Sequence, residues 1–414
     1  MSMPRLDLLA NENAEAALAR AREGQHDPVL IVGGGIGGLA TALALARNGI
    51  ASHVLERRPA FSEEGAGIQI GPNGTRILRR LGVADVLQPH VGVPEALSVR
   101  DGLTGAELAR LPLGRWIAMR HGAPYWTAHR KDLHNALVQA VRAQPLIALS
   151  LGFEASEVAA DERHVAVWAE SGEAWTGKAL IAADGIWSSL RALLVETQKP
   201  RFSGKSAART VVPLNELPVD FQRNETTIWL FRDAHVVHYP VSGGSELAIV
   251  VVLKDQHDSS DWSAPVPPFW VQQNIPHCAA PLRALILAAR TWKRWALHTL
   301  PVPRQWTRGP VALLGDAAHP VLPFLAQGAV MALEDAVVVA DALARHGADV
   351  RAALRTYQQR RRPRVARVAA ASRRNGRIYH LAGPAAVARN LVLRFTPAQR
   401  LMARYDWLYG WRSD

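Results

Sequence analysis

The sequence predicts an α/β fold: an α/β domain interrupted by an inserted, mainly antiparallel β-sheet and completed by C-terminal helices. Three observations carry this. A strand, a glycine-rich loop, a helix, a second strand and a terminal acid succeed one another between residues 28 and 56. From about residue 200 to 255 the chain is rich in short apolar strands. A buried strand at Val311–Leu314 and two long helical patterns then restore the α/β character. No linker separates the parts, which favours one domain in several pieces over two domains in series.

In chain order, Pro28–Val32 is a short, fully apolar run, as a buried parallel strand requires. Leu39–Arg47 is an Ala/Leu-rich helix stopped by Asn48-Gly49, and Ala51–Leu55 is a strand with Glu56 at its end. Gly65–Gly74 reads as a glycine-rich loop, Thr75–Leu81 as a short helix, about 96–115 as a hairpin around Asp101-Gly102, and Lys131–Ala143 as a helix. Residues 152–183 read as strands with turns at Asp161-Glu162 and Ser171-Gly172. Ile228–Phe231, His235–Val241 and Glu246–Leu253 read as neighbouring strands, the last two joined at Ser242-Gly243-Gly244. Trp262–Pro268 reads as a loop, and Gly328–Ala344 and Val350–Ser372 as helices. The resulting division is an N-terminal extension at 1–27; an α/β domain at 28–95, 115–197 and 300–345; a substrate domain at 96–114 and 198–299; and a helical region at 346–414. Within the extension, Glu15–Arg22 has the composition of a short helix.

The 414 residues exceed what a single core of ordinary size holds, and 49% apolar with 20% charged residues is a globular balance. No apolar run approaches the ~20 residues of a membrane span. Polar and charged residues occupy the place of a signal-peptide core in residues 1–27. Cys278 is the single cysteine, so neither an intrachain disulfide nor a cysteine metal motif is expected. A cytoplasmic, metal-free protein is expected, as a monomer or homodimer, between which the sequence does not choose. The net charge of +12 raises nucleic-acid binding as a class. Much of the excess, however, is arginine at helical spacing in Arg360–Arg364, Arg367, Arg373, Arg374 and Arg377, which reads as a solvated helix face. Part of the positive field is also available to anionic small molecules.

Gly33, Gly35 and Gly38 satisfy GxGxxG, with Ile36 and Gly37 between them. The three glycines allow a tight turn, close approach of the backbone to a pyrophosphate, and close packing of helix on strand. Phosphates would meet free N–H groups and the positive helix end. Glu56, twenty-one residues after Gly35, can accept hydrogen bonds from ribose hydroxyls, with Arg57 beside it. Dinucleotide binding follows; the loop alone does not choose between FAD and NAD.

Two further segments make that choice. Leu314-Gly315-Asp316-Ala317-Ala318-His319-Pro320, followed by Gln327-Gly328-Ala329, and Ala183-Asp184-Gly185-Ile186-Trp187 with Arg191, resemble the class A flavoprotein aromatic hydroxylases. Gly65–Asn73, Pro124–His134 and Tyr405–Gly410 are similar to the subgroup of 3-hydroxybenzoate, 6-hydroxynicotinate and salicylate hydroxylases. The resemblance, covering residues from about 28 to the C-terminus, implies a glutathione-reductase-like, Rossmann-type FAD domain with noncovalent FAD. NADH or NADPH and O2 would be co-substrates, and a flavin C4a-hydroperoxide would hydroxylate a small phenolic acid. It places Gly315 and Asp316 at the ribityl chain, Asp184 and Gly185 at FAD and nicotinamide, Gly328 and Ala329 beside the isoalloxazine, and Arg130 and Gln69 at the flavin.

The resemblance also assigns His235 and Tyr239 to the substrate, as base and as positioning group. Residues four apart on a strand share a face, so both can enter one pocket while His238 points away. A neutral imidazole with the usual pKa of ~6.5 can take a phenol proton. His319 and His134 read as structural or flavin-side groups. The loop after the Gly-Asp motif departs from the hydroxybenzoate pattern: Pro323 stands where a Gln is usual, and Phe324 follows, so the pocket is expected to be more apolar. Gln69 likewise stands where the hydroxynicotinate enzyme has His. Arg209 is a candidate partner for a substrate carboxylate, against the ordinary reading of a structural arginine. The alternatives are a monooxygenase of a larger phenolic or heteroaromatic compound and a flavin-binding protein without turnover.

Overall fold

The computed structural model describes residues 27–61, 67–194, 199–261 and 263–413. The N-terminal extension up to residue 26, including the helix expected at Glu15–Arg22, lies outside them. Three sheets and a hairpin-like pair organise the described chain. The first sheet has the strand order Thr307–Arg308, Val311–Leu313, Ala179–Ala182, Val29–Val32, Ser52–Glu56, Ile147–Leu151. All its neighbours are parallel except the first pair. Its central strands are completely buried. That is the physical meaning of their uninterrupted apolar sequences: both faces are covered, by helices on one side and by a strand of a meander, Ala174–Gly177, on the other, so alternation has no function.

The helix after the glycine loop runs Ile36–Ala46 and starts three residues earlier than the sequence suggests, inside GxGxxG itself. The long helix Gly328–His346 lies against it. This contact is close because Gly37 has no side chain: a Cβ there would come within 2.9 Å of Leu314 Cδ2 and 3.2 Å of Ala332 Cβ.

The second sheet has eight strands, in the order Ala264–Val266, Trp292–Thr299, Arg201–Pro213, Glu246–Lys254, Ala234–Val241, Glu225–Leu230, Ala96–Asp101, Glu107–Pro112. Only Glu225–Leu230 with Ala96–Asp101 is parallel. The expected hairpin at Asp101-Gly102 and the three neighbouring strands at 228–253 are present. One face of this sheet packs on its own helices, Pro268–Asn274 and Ala280–Ala288. The other turns toward the first sheet and the C-terminal helices. A three-stranded meander, Ala155–Ala160, Val165–Ala169 and Ala174–Gly177, completes the set of sheets.

Three expectations need correction. Within the predicted loop Gly65–Gly74, residues 65 and 66 lie outside the described chain, Gly67–Ile70 is a strand paired antiparallel with Trp126–His129, and a helix starts at Pro72. Within Trp262–Pro268, Trp262 lies outside the described chain and Ala264–Val266 is a strand. It sits at the sheet edge, where Pro265 removes no ladder hydrogen bond. Finally, the arginine face of helix Val350–Tyr379 is not wholly solvated. Arg361 is 1% exposed, and the Arg364 side chain beside it 8%.

Candidate active site

The parallel strands of the first sheet end on one side, and each end carries a piece of the candidate site. Val29–Val32 runs into Gly33, whose φ of +109° and whose closeness to the chain exclude a side chain: a Cβ would lie 2.4 Å from Ala183 O. Ser52–Glu56 ends on Glu56. Its Oε2 accepts the Gly34 N–H at 2.6 Å and its Oε1 the Arg58 N–H at 3.0 Å, so this carboxylate also shapes the glycine loop. Arg57 is exposed at the rim. His134 donates from Nε2 to Gly34 O at 2.8 Å and steadies the same loop. Ligands of α/β sheets bind outside such carboxyl ends.

Ala179–Ala182 leads into Asp184-Gly185, and Val311–Leu313 into Gly315-Asp316. Arg191 joins these two turns, donating to Ala317 O at 2.7 Å, Asp316 O at 3.0 Å and Ile186 O at 2.9 Å. Burial raises the carboxyl pKa of both Asp184 and Asp316. Against that rise, the charges of His319, Arg130 and Arg191 favour an ionised Asp316. Asp184 Oδ1 is buried and has no hydrogen-bond partner among the described residues.

Several positions are left open for a ligand. A Cβ built on Gly35 or Gly185 would meet nothing within 4 Å, and one on Gly328 only Val321 Cγ2 at 4.0 Å. Ile36 and Gly38 continue the helix N-terminus, where a Cβ on Gly38 would fall 1.9 Å from Gly33 O. Gly328 and Ala329 begin the helix Gly328–His346. Ala326, two residues earlier, adopts φ +51°, a left-handed conformation that costs a non-glycine residue about 1 kcal/mol. Such strain persists only where the surroundings impose it. An open glycine cradle, a partnerless buried carboxylate oxygen and a helix start with free N–H groups fit the pyrophosphate, ribityl and ring portions of FAD.

A buried charge network that the sequence reading missed holds this region together. Asp335 Oδ2 accepts from His319 Nε2 at 2.7 Å and from Gly315 N at 3.0 Å, and its Oδ1 accepts from Arg361 Nε at 2.6 Å. Burial pushes the Asp335 pKa up, but His319 and Arg361 hold it below the ordinary value. Glu334 accepts from Arg361 at 2.7 Å, from Arg364 at 2.8 Å and from Asn73 at 2.8 Å; Asn73 also donates to Gln327 Oε1 at 3.0 Å. The available signal was Glu334-Asp335 itself, two acids inside an otherwise apolar helix.

On the second sheet, His235, Val237 and Tyr239 share the face turned toward the first sheet and the C-terminal helices. His235 lies against Phe324 and Tyr379, with ring centroids 5.6 and 5.4 Å away. Tyr239 has different neighbours. Its ring fills the space over Gly67, and its hydroxyl faces the Gln69 amide, whose Oε1 accepts from Tyr125 at 2.7 Å. Burial raises the Tyr239 pKa, partly offset by Gln69 and the Arg209 charge. Arg209 occupies the same face, its guanidinium 4.7 Å from the centre of the Trp295 ring. Pro323 is exposed, while Phe324 packs against Ala207, Val252 and Leu297 of the sheet.

His238 points to the opposite face, against Phe221 and Trp229. Neither ring nitrogen has a partner among the described residues. Burial, then the Arg100 charge, lower its pKa to about 3. A folded value below the unfolded ~6.5 means the unfolded chain binds the extra proton, so stability falls as pH drops through that window, by about 1.4 kcal/mol per pH unit. His238→Leu is expected to remove this component and to add about 1 kcal/mol at neutral pH by deleting orphaned polar atoms. Urea unfolding at about pH 7 and about pH 5 reads both effects; an acid sensitivity identical to that of the native chain would contradict them.

These features, collected at the ends of the parallel strands and facing a second sheet, define a flavin-dependent oxidoreductase. The chain belongs to the family described as FAD binding domain, whose model matches residues 26–372, and it is an FAD-dependent aromatic monooxygenase. It is 36% identical to 3-hydroxybenzoate 6-hydroxylase of Polaromonas naphthalenivorans, over 93% of this chain and 96% of the relative. It is 37% identical to a 3-amino-4-hydroxybenzoate 2-monooxygenase of Streptomyces platensis, over 94% of this chain and 97% of that one. Among solved structures it superposes on Klebsiella pneumoniae HpxO complexed with FAD and uric acid, with TM-score 0.80, 26% identity and coverage of 92% and 96%. A salicylate hydroxylase substrate complex gives TM-score 0.80, 25% identity and coverage of 94% and 96%. No described helix is long and apolar enough to cross a membrane.

Proposed function

We propose that this monooxygenase hydroxylates a small phenolic aromatic acid of the 3-hydroxybenzoate or salicylate type, with NADH or NADPH as reductant, acting as a monomer or homodimer in the cytoplasm. In this reading the first sheet and its helices form a glutathione-reductase-like FAD domain from 28–95, 115–197 and 300–345. The segments 96–114 and 198–299 form the substrate domain, and 346–414 the helical region behind it. FAD, when bound, takes reducing equivalents from the nicotinamide and delivers one oxygen atom of O2 to the ring. The chain's own residues bind and orient. Gly33, Gly35, Ile36, Gly37 and Gly38 receive the pyrophosphate, and Glu56 and Arg57 the adenosine side. Asp316 and Gly315, with Arg130, Asp184, Gly185, Gln69, Gly328 and Ala329, hold the remainder.

The observation that carries the substrate assignment is the placement of His235 on the sheet face that meets Phe324 of the flavin-side loop. His235 takes the phenol proton, which makes the ring electron-rich. Tyr239, fixed by Gln69, orients a ring substituent. Arg209 on the same face is a cation that a substrate carboxylate would meet. Phe324 and Leu322, packed on that sheet, keep the site dry.

The test is NADH and NADPH oxidation by the FAD-loaded protein with hydroxybenzoates, hydroxynicotinates and larger phenols, with product mass measured. Stimulation by one small acid with gain of one oxygen is expected. Stimulation by larger phenols alone would move the substrate to the second reading, which the apolar Pro320–Leu325 loop favours. No stimulation by any of them would leave the protein a flavin binder without turnover.

A further inference from the structure

His235 does not stand alone. Its Nδ1 lies 2.9 Å from Nε2 of His380, a residue 145 positions later in the chain. The two rings are 5.1 Å apart, and Phe324 packs edge-on against His380 at 5.8 Å. His380 caps the C-terminus of the helix Val350–Tyr379, and its position is built rather than incidental. Arg389 of the next helix, buried to 8% exposure, donates to Ile378 O at 3.1 Å and Tyr379 O at 2.9 Å, satisfying carbonyls that the helix end leaves open. Asn375 holds the same turn through Tyr379 and Tyr405.

A neutral imidazole has one donor and one acceptor nitrogen. Across a direct Nδ1–Nε2 contact, one ring therefore donates and the other accepts, and the choice decides what the far nitrogen of His235 can do. If His380 donated, His235 would carry its own proton on Nε2 and could not accept another there. If His380 accepts, His235 Nε2 is a lone pair.

We propose that His380 is a positioning residue for the substrate base: its Nε2 accepts the His235 Nδ1–H, holds His235 in the tautomer whose Nε2 can take a phenol proton, and takes over the Nδ1 proton when that transfer occurs. The step balances. The phenol O–H bond breaks and a His235 Nε2–H bond forms; the His235 Nδ1–H bond breaks and a His380 Nε2–H bond forms. Phenolate and a His380 imidazolium result, with His235 neutral between them. This rests on the phenolic-substrate reading above.

The surroundings fit two rings that are neutral in the resting protein. Burial, then His380 and Lys205, lower the His235 pKa well below the ordinary value. Burial lowers His380 to about 4, with Lys205, Arg389 and Lys254 opposing its charge and Asp233 favouring it. A bound phenolate supplies the negative charge that the free site lacks. The pair is therefore neutral without ligand and able to hold a proton with it.

The experiment uses the FAD-loaded protein with 3-hydroxybenzoate as the probe. Native chain, His380→Phe and His380→Gln are compared by ligand ionisation, read as the phenolate difference spectrum against pH, and by kcat and KM for NAD(P)H oxidation. Phe keeps a ring but has no acceptor, whereas Gln restores one. For His380→Phe the expected result is unchanged FAD content, KM within about threefold and kcat reduced about tenfold or more. Ionisation of the bound phenol should move at least about one pH unit upward, and His380→Gln, whose amide oxygen can hold the His235 tautomer but cannot take its proton, should recover only part of kcat. Native-like ionisation in His380→Phe, or a Gln variant as active as the native chain, would overturn the role of His380 while leaving the substrate reading intact. Failure of the native protein to bind or ionise the probe would overturn the substrate reading, and the proposal with it.

Discussion

His235→Asn is expected to lower kcat/KM for a phenolic acid by about 10²–10⁴-fold near neutral pH, the range ascribed to a positioned general base, with FAD content unchanged. The strand register makes this selective. His235 pairs with Val252 inside the second sheet and reaches Phe324, whereas every residue assigned to the pyrophosphate lies in the loop and helix that follow strand Val29–Val32 of the first sheet. The loss should also depend on pH in a defined direction. In the native protein, burial and the neighbouring His380 and Lys205 depress the His235 pKa. The base therefore stays neutral below ~6.5, and the acid limb of kcat/KM lies below that value. In the variant no base remains, so activity should climb as pH rises toward the phenol's own pKa of ~10. Steady-state kinetics across pH, with flavin absorbance as the occupancy measure, read both. Equal loss of flavin and activity would sink the assignment.

What the sequence makes legible is what local sterics and periodicity dictate. Gly33 and Gly38 are written into the chain because a Cβ would strike the backbone of a neighbouring segment, so the motif announces its own geometry. The shared face of His235 and Tyr239, and the opposite direction of His238, follow from the two-residue period of a strand. What was not legible depends on partners distant in sequence. His380 gives no local sign that a helix cap 145 residues away meets His235. Tyr239 shares a face with His235, yet it is committed to Gln69 on a strand that read as a loop. Arg361 and Arg364 carry the same helical spacing as their exposed neighbours; their burial is decided by Glu334 and Asp335 on another helix. Two of the arginines of that run are thus internal, their charge balanced by two buried acids. Arg364 also donates to Trp407 O and Leu408 O, and Arg76 to Trp411 O, so arginines fasten the C-terminal segment as well.

That network leads to the other large effect. Arg361→Met should destabilise the protein by about 3–5 kcal/mol, the cost of leaving buried carboxylates without their cation. Arg361 bridges both acids, Nη1 to Glu334 and Nε to Asp335, at 1% exposure. Its removal leaves Arg364 on Glu334 and His319 on Asp335, neither of which spans the pair. The consequence should reach the cofactor. Asp335 holds the Gly315 N–H beside Asp316, and Glu334, through Asn73, holds Gln327 at the start of the helix that carries Gly328 and Ala329. FAD affinity is therefore expected to fall at least about tenfold, about 1.4 kcal/mol of binding. Arg361→Lys should lie between native and Met, because an ammonium keeps the charge but lacks the planar fork that reaches two carboxylates. FAD reconstitution titrations and the midpoint of heat-driven FAD release separate the cases. The decisive comparison is with Arg364→Met, whose partners are Glu334 and the C-terminal backbone but not Asp335. If Arg361 acts through Asp335 and Gly315, its loss must weaken FAD more than the loss of Arg364. Equal losses would assign the effect to helix packing alone.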